Sequence, residues 1–289
     1  MIILIIFLQR IFNFIFKLPP PAAVYLMRFA AESAYQIARL TKVKKIAAKN
    51  IALFFPRSDT GLLADKLLRN VGYSIFEILC TPFFEEAHLK RICKINGLEN
   101  LDLALAKRRG AIMISMHTGN YELIATALAA RGYGLASVLK ADPADPLFKL
   151  ISPSRAYKGI KIINVLKENM YRETLKALAR NRTVCLLADT GALEGRHEML
   201  PFLGKKVPVA TGWLTLARRS GAPVVPVISR REGKKLIINF YEPLFVYKDN
   251  RGEIMLKIGK LFENFVENHP EQWGIFLNEY ETKRMVEGK

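Results

Sequence analysis

The sequence predicts an α/β protein. It would have a mainly parallel central sheet with helices on both faces, an antiparallel hairpin at one edge, and N-terminal apolar helices that associate with a membrane. Three observations carry this reading. Apolar runs at 111–116, 135–139, 161–165, 183–188 and 223–229 are mainly hydrophobic, as strands covered on both faces tend to be. Helical patterns fill most of the intervals, at 120–131, 144–156, 169–181 and 209–220, and that alternation feeds parallel strands through crossover helices. A last run, 235–241, is separated from 223–229 only by Arg230 to Lys234. That is too short for a crossover, so the two read as the hairpin.

The elements before the sheet differ in kind. Residues 1–16 are almost wholly apolar, broken only by Gln9, Arg10 and Asn13, and fall short of the roughly 20 residues a spanning helix needs. With no basic start and no small-residue cleavage site, a secretory signal is not expected. Two readings fit: an anchor lying in the membrane plane, or a core helix of the globular part. Lys17-Leu-Pro-Pro-Pro21 ends the segment. A second apolar helix follows from about Ala22 to Leu40, either sharing the membrane surface or covering the sheet. A helix at 62–80, a connecting region at 85–101 and a closing helix at 253–268 complete the outline. Residues 1–40 are thus expected to be membrane-associating helices and 41–289 one larger domain.

Composition narrows the partners. The chain of 289 residues carries a net charge of +18, which calls for an anionic partner. There is no zinc-finger spacing, RNA-binding aromatic motif or long Lys/Arg block, so nucleic acid is not expected. Up to Thr60 nine basic residues stand against Glu32 and Asp59. Cationic faces beside apolar ones suit anionic membrane lipids of a cytoplasmic leaflet, at about 1 kcal/mol per basic residue. Cys80, Cys93 and Cys185 are unpatterned and read as reduced packing residues. The dispersed histidines 88, 117, 197 and 269 offer no metal site.

The chemistry concentrates in Gly110-Ala-Ile-Met-Ile-Ser-Met-His117-Thr-Gly-Asn120-Tyr-Glu122. The strand 111–116 delivers His117 at its carboxyl end, where ligands collect in open α/β sheets. Thr118 to Asn120 supply turn and cap residues, and Glu122 falls in the first turn of the next helix. On one helix His117 and Glu122 would point about 140° apart. With the histidine on the strand end the turn can fold the two together. A carboxylate beside an imidazole fixes its tautomer and makes a usable general base. The alternative is a buried histidine bonded to a carbonyl, with a surface glutamate at a helix start. Asp189, at the end of strand 183–188 beside Thr190 and Gly191, is either a site residue or a turn former.

His117-Thr-Gly-Asn-Tyr-Glu122 resembles the His-x4-Glu block of the bacterial late-acting lipid A acyltransferases (lauroyl and myristoyl transferases), within the glycerolipid and lysophospholipid acyltransferase superfamily. Tyr121 stands where that family commonly has Trp. Asp145-Pro-Leu with Arg155-x3-Gly159, Asp189 with the blocks at 200–205, 210–212 and 217–226, and Pro270-Glu-Gln-Trp273 resemble further family segments in the same order. Thr190 departs from the usual Gln. The resemblance covers about residues 40–280 and makes 41–289 an acyltransferase domain.

It implies His117 as general base with Glu122 orienting it, and Asp189, Arg155 and Asn120 around the substrate. Arg155 would contact phosphate or the oxyanion, or else be a solvated helix-end arginine. The implied reaction moves a fatty acyl chain from an acyl thioester to a hydroxyl of a lipid A precursor, a phosphorylated glycolipid, at the cytoplasmic face of a bacterial inner membrane. No cofactor is implied. The co-substrate is acyl-acyl carrier protein or acyl-coenzyme A, which makes acyl carrier protein a partner. Alternative acceptors are a phosphatidylinositol mannoside, a lysophospholipid or an ornithine lipid. A non-catalytic, peripheral membrane-binding protein of the same fold is the alternative outside enzymes.

Overall fold

The computed structural model describes residues 10–144, 146–190 and 197–287. A seven-stranded sheet forms its centre. Its strands are β1 (Cys93–Asn96), β2 (Ala111–Ser115), β3 (Leu135–Leu139), β4 (Lys161–Asn164), β5 (Thr183–Leu187), β8 (Val224–Glu232) and β9 (Lys235–Phe240). A separate antiparallel pair, β6 (His197–Phe202) and β7 (Lys205–Ala210), lies outside it. The sheet order is β1-β9-β8-β2-β5-β3-β4. Every neighbouring pair is parallel except β8 with β9.

The six apolar runs all become strands. The β8–β9 hairpin is antiparallel as expected, but it is not at the edge, because β1 pairs in parallel outside β9. Strand β1 is not legible in the sequence because Cys-Lys-Ile-Asn is too short and too mixed to show a period. The region 85–101, read as a connection, holds α4 (Glu86–Ile92), β1 and the start of α5 (Glu99–Leu105). The helix expected from 209 begins at Gly212, because Val207-Pro-Val-Ala210 belongs to β7.

Strand β2 is buried throughout, and its side chains divide between two cores. Ile112, Ile114 and Met116 join one with α2 (Lys42–Ala52), α8 (Met170–Ala179), α9 (Gly212–Ser220) and α10 (Arg251–Asn268). Ala111 and Met113 join the other with α4, α5 and α6 (Tyr121–Ala129). Helix α3 (Thr60–Cys80) contributes Leu67 to the first core and Cys80 to the second. Ser74 and Glu77, between those positions, are buried against the turn after β2.

The first nine residues of the apolar N-terminus lie outside the described residues. Helix α1 (Pro20–Ala38) starts on the proline run, where proline's missing N–H costs nothing. Its Ala23, Val24, Met27, Ala31 and Tyr35 are buried, and Tyr35 donates to Asp65 on α3. Its other face leaves Tyr25, Phe29 and Ile37 exposed. The helix covers the domain with one side and presents apolar surface with the other. Among the described residues no helix is long and apolar enough to cross a membrane.

Candidate active site

The strand pairing builds the site. In the β2–β5 ladder Ser115 stands opposite Leu187, so two residues further on His117 meets Asp189. Asp189 Oδ1 lies 2.8 Å from His117 Nδ1, and Asp189 Oδ2 accepts from the His117 backbone N–H at 2.7 Å and from Trp273 Nε1 at 2.8 Å. Burial disfavours a charged Asp189. The charge and hydrogen bonds of His117, with the bond from Trp273, outweigh that and hold its carboxyl below the ordinary value. For His117 burial again opposes the charged form, and the charge and hydrogen bond of Asp189, helped by Glu122 and Glu281, overcome it and raise the imidazole above its ordinary value. A carboxylate on Nδ1 makes that nitrogen the donor and leaves Nε2 as the acceptor. The Asp189 side chain is 1% exposed and that of His117 27%, so the pair is dry on one side and open on the other.

The turn after His117 is held on three sides. Gly119 has φ +55°, and a Cβ there would come within 2.7 Å of the Ser229 carbonyl oxygen, so only glycine fits. The Gly119 N–H donates to the Gln272 carbonyl and the Gly274 N–H to that of His117. Ser229 Oγ donates to the Thr118 carbonyl and Ser74 Oγ to that of Gly119. The segment Pro270–Gly274 thus clamps the turn, while Trp273 packs on Phe54, Phe202 and Phe276.

Asn120, expected beside the substrate, turns its side chain inward. Its Oδ1 accepts from Leu123 N–H at 3.2 Å, capping α6, and its Nδ2 donates to Glu77 Oε2 at 2.8 Å. Glu77 in turn receives both Nη atoms of Arg231, at 2.9 and 2.7 Å. Arg231 exchanges backbone hydrogen bonds with the Gln272 side chain. This wholly buried ion pair fixes β8, α3, α6 and the Trp273 segment to one another. Neither Glu77 nor Arg231 is among the residues singled out from sequence. The available signal is a glutamate inside Ser74-Ile-Phe-Glu-Ile-Leu-Cys80, where an unpaired charge would be untenable.

Glu122 is the main correction. It does not orient His117, because Asp189 occupies Nδ1. Glu122 Oε1 instead accepts from Arg155 Nε at 2.9 Å and from Nη2. From the first turn of α6 its carboxylate reaches the last turn of α7 (Pro146–Arg155), and only its field acts on the imidazole. Arg155 is therefore no solvated surface residue. It lies in the same cluster, and its Nη1 has no partner among the described residues.

Behind Asp189 lies a narrow apolar pocket of about 30 Å³. Leu200, Phe202 and Val209 of the β6–β7 pair line it opposite Met255, Gly259 and Phe262 of α10. The thiols are not poised to react: burial pushes Cys93 up to about 11 and Cys185 up to about 12.

The fold and this site define an α/β protein with a carboxylate-held histidine at the carboxyl end of its sheet. The chain belongs to the bacterial lipid A biosynthesis acyltransferase family, which matches residues 1–282. It is similar to a phosphatidylinositol mannoside acyltransferase of Mycobacterium tuberculosis, 24% identical over 62% of this chain and 57% of the relative. It is also similar to two Escherichia coli proteins. A lipid A biosynthesis lauroyltransferase is 24% identical over 65% of this chain and 61% of that protein. A lipid A biosynthesis palmitoleoyltransferase is 22% identical over 86% and 82%. The chain spans less than two thirds of the length of the first two.

Proposed function

We propose that the protein is an O-acyltransferase that moves a fatty acyl chain from a thioester to a hydroxyl of a lipid A precursor at the cytoplasmic face of a bacterial inner membrane. The observation that carries the chemistry is His117 bonded through Nδ1 to buried Asp189, with no hydrogen-bond partner on Nε2 among the described residues. Nε2 takes the proton of the acceptor hydroxyl as its oxygen bonds to the thioester carbonyl carbon. The tetrahedral intermediate then expels the thiolate, which recovers that proton from the imidazolium. Asp189 stabilises the charge that His117 carries between the two transfers. The positive end of α6 and Arg155 Nη1 would donate to the developing oxyanion. Attack is direct, since no thiol is activated, and no cofactor is needed.

The acyl chain takes the apolar pocket behind Asp189 and must part β6–β7 from α10 to enter, since about 30 Å³ holds no more than a water. The net charge of +18 complements an acidic acyl carrier protein as the donor's carrier, and equally the phosphates of coenzyme A. A phosphatidylinositol mannoside is the second acceptor reading, favoured by the mycobacterial relative.

The test supplies purified protein with acyl thioester and either acceptor. Thioester consumption that requires a lipid acceptor and yields its ester is expected. His117→Ala, with the fold intact, should lose about 10²–10⁴-fold. Near-full turnover in His117→Ala, or no transfer to any lipid hydroxyl, would overturn the reading.

A further inference from the structure

A second cleft, of about 770 Å³, opens between α1, α3, the end of α4 and the β8–β9 turn. Arg28, Arg69, Lys90, Arg91, Lys234 and Lys235 line it, and among the described residues Glu32 is the only acidic one that does. Glu32 is taken by Arg69 and Tyr73, and Lys90 pairs with Glu86. Arg91, Lys234 and Lys235 are exposed and have no side-chain partner among the described residues. Arg28 latches the walls together by donating to the backbone carbonyls of Arg91 and Lys234. Its Nε is buried with no partner among the described residues. Burial, partly offset by Glu77 and reinforced by Arg231, depresses the Arg28 guanidinium, so an anion placed there would stabilise its charge.

The position of the cleft adds to its chemistry. Strand β8 runs parallel to β2, so the β8–β9 turn stands at the same end of the sheet as His117. In the strand order β9 is two places from β2, roughly 10 Å across the sheet at the usual strand spacing. Exposed Tyr25 and Phe29 line the same cleft from α1. Cations in a concavity with aromatic rings beside them match a phosphate headgroup whose acyl chains lie beyond it.

We propose that this cleft binds the phosphate headgroup of an anionic membrane lipid and so seats the His117 end of the sheet on the bilayer. The cleft is distinct from the acyl-transfer site, and its occupancy is measurable without turnover.

The test is flotation of the full chain with vesicles of phosphatidylcholine alone or mixed with phosphatidylglycerol. Wild-type protein should prefer the anionic vesicles. The triple variant Arg91→Gln, Lys234→Gln, Lys235→Gln should bind them on the order of 100-fold more weakly, about fivefold per cation. The same charge change at the opposite end of the sheet, Lys107→Gln, Arg108→Gln, Arg180→Gln, should cost far less, which separates a site from general attraction. If the triple variant fails to fold, the single changes Lys234→Gln and Lys235→Gln on the exposed turn carry the test at about fivefold each. Equal losses in the two triple variants would overturn the proposal, as would undiminished binding in the first. Saturation by inorganic phosphate without preference for anionic vesicles would also overturn it, by making the ligand a free anion. Binding of an acidic carrier protein that the cleft variant alone abolishes, with vesicle binding intact, would give the cleft to a protein instead.

Discussion

Of the three carboxylates that act on His117, Glu122 and Asp189 have different partners, which points to different work. Asp189 is fully buried and commits both oxygens to His117 and Trp273. Glu122 directs its hydrogen bonds to Arg155. Asp189→Asn would present the wrong group to Nδ1 and should cost about 10³–10⁴-fold in turnover, the scale seen when a catalytic histidine loses its orienting acid. Glu122→Gln should cost roughly tenfold, and Glu122→Gln with Arg155→Met little more than the worse single change, because each residue acts through the other. Steady-state transfer assays on the three variants check this; a Glu122→Gln loss equal to that of Asp189→Asn would restore the role expected from spacing. His117 and the alternatives around it were legible in the residues. Its true partner was not, because it lies 72 residues away and is set by which strands neighbour each other, a fact no local pattern encodes.

At the scale of elements, the turn after β2 is held by α3, β8 and the Pro270–Gly274 segment. The Glu77–Arg231 pair is the fastening between them, with both side chains almost wholly out of water. Removing one partner of such a pair leaves a buried charge unpaired, at about 3–5 kcal/mol. Glu77→Met should therefore destabilise the protein by that much in urea denaturation. Glu77→Met with Arg231→Met should recover most of the loss, although Asn120 then loses a partner. A double variant as unstable as the single would mean that the pair's geometry, and not its charge balance, holds the turn. The strands and long helices could be read from period and apolarity, since burial on both faces leaves a plain signature. The short pieces could not. β1 has four residues, and the β6–β7 pair has a proline in each strand, at 201 and 208, which masks its alternation.

Across the whole molecule, protonation of the site and stability of the fold are coupled. His117 has a folded value above its unfolded one, so its contribution is full below the unfolded value and fades as pH rises through the folded one. Asp189 is depressed, so its contribution is present above the ordinary carboxylate range and is lost as pH falls through its folded value. Stability should therefore be greatest between the two, and denaturation midpoints measured across pH should fall on both sides. In Asp189→Asn both slopes should flatten. The basic charge and the apolar N-terminal composition are legible in the sequence, and the expectation of an anionic, membranous partner rests on them. The cleft that gathers Arg28, Arg91 and Lys234 is not legible there, since four separate stretches of chain build it.

The pH dependence of kcat/KM for acyl transfer, in wild-type protein and in Asp189→Asn, is the most direct measurement of the central claim. With neutral His117 as the proposed base, activity should rise through a single ionisation lying above the ordinary histidine value of about 6.5. In the residual activity of Asp189→Asn that ionisation should move to lower pH, because burial then acts on the imidazole without its counter-charge. An ionisation that stayed where it was in Asp189→Asn, and moved instead in Glu122→Gln, would contradict the account.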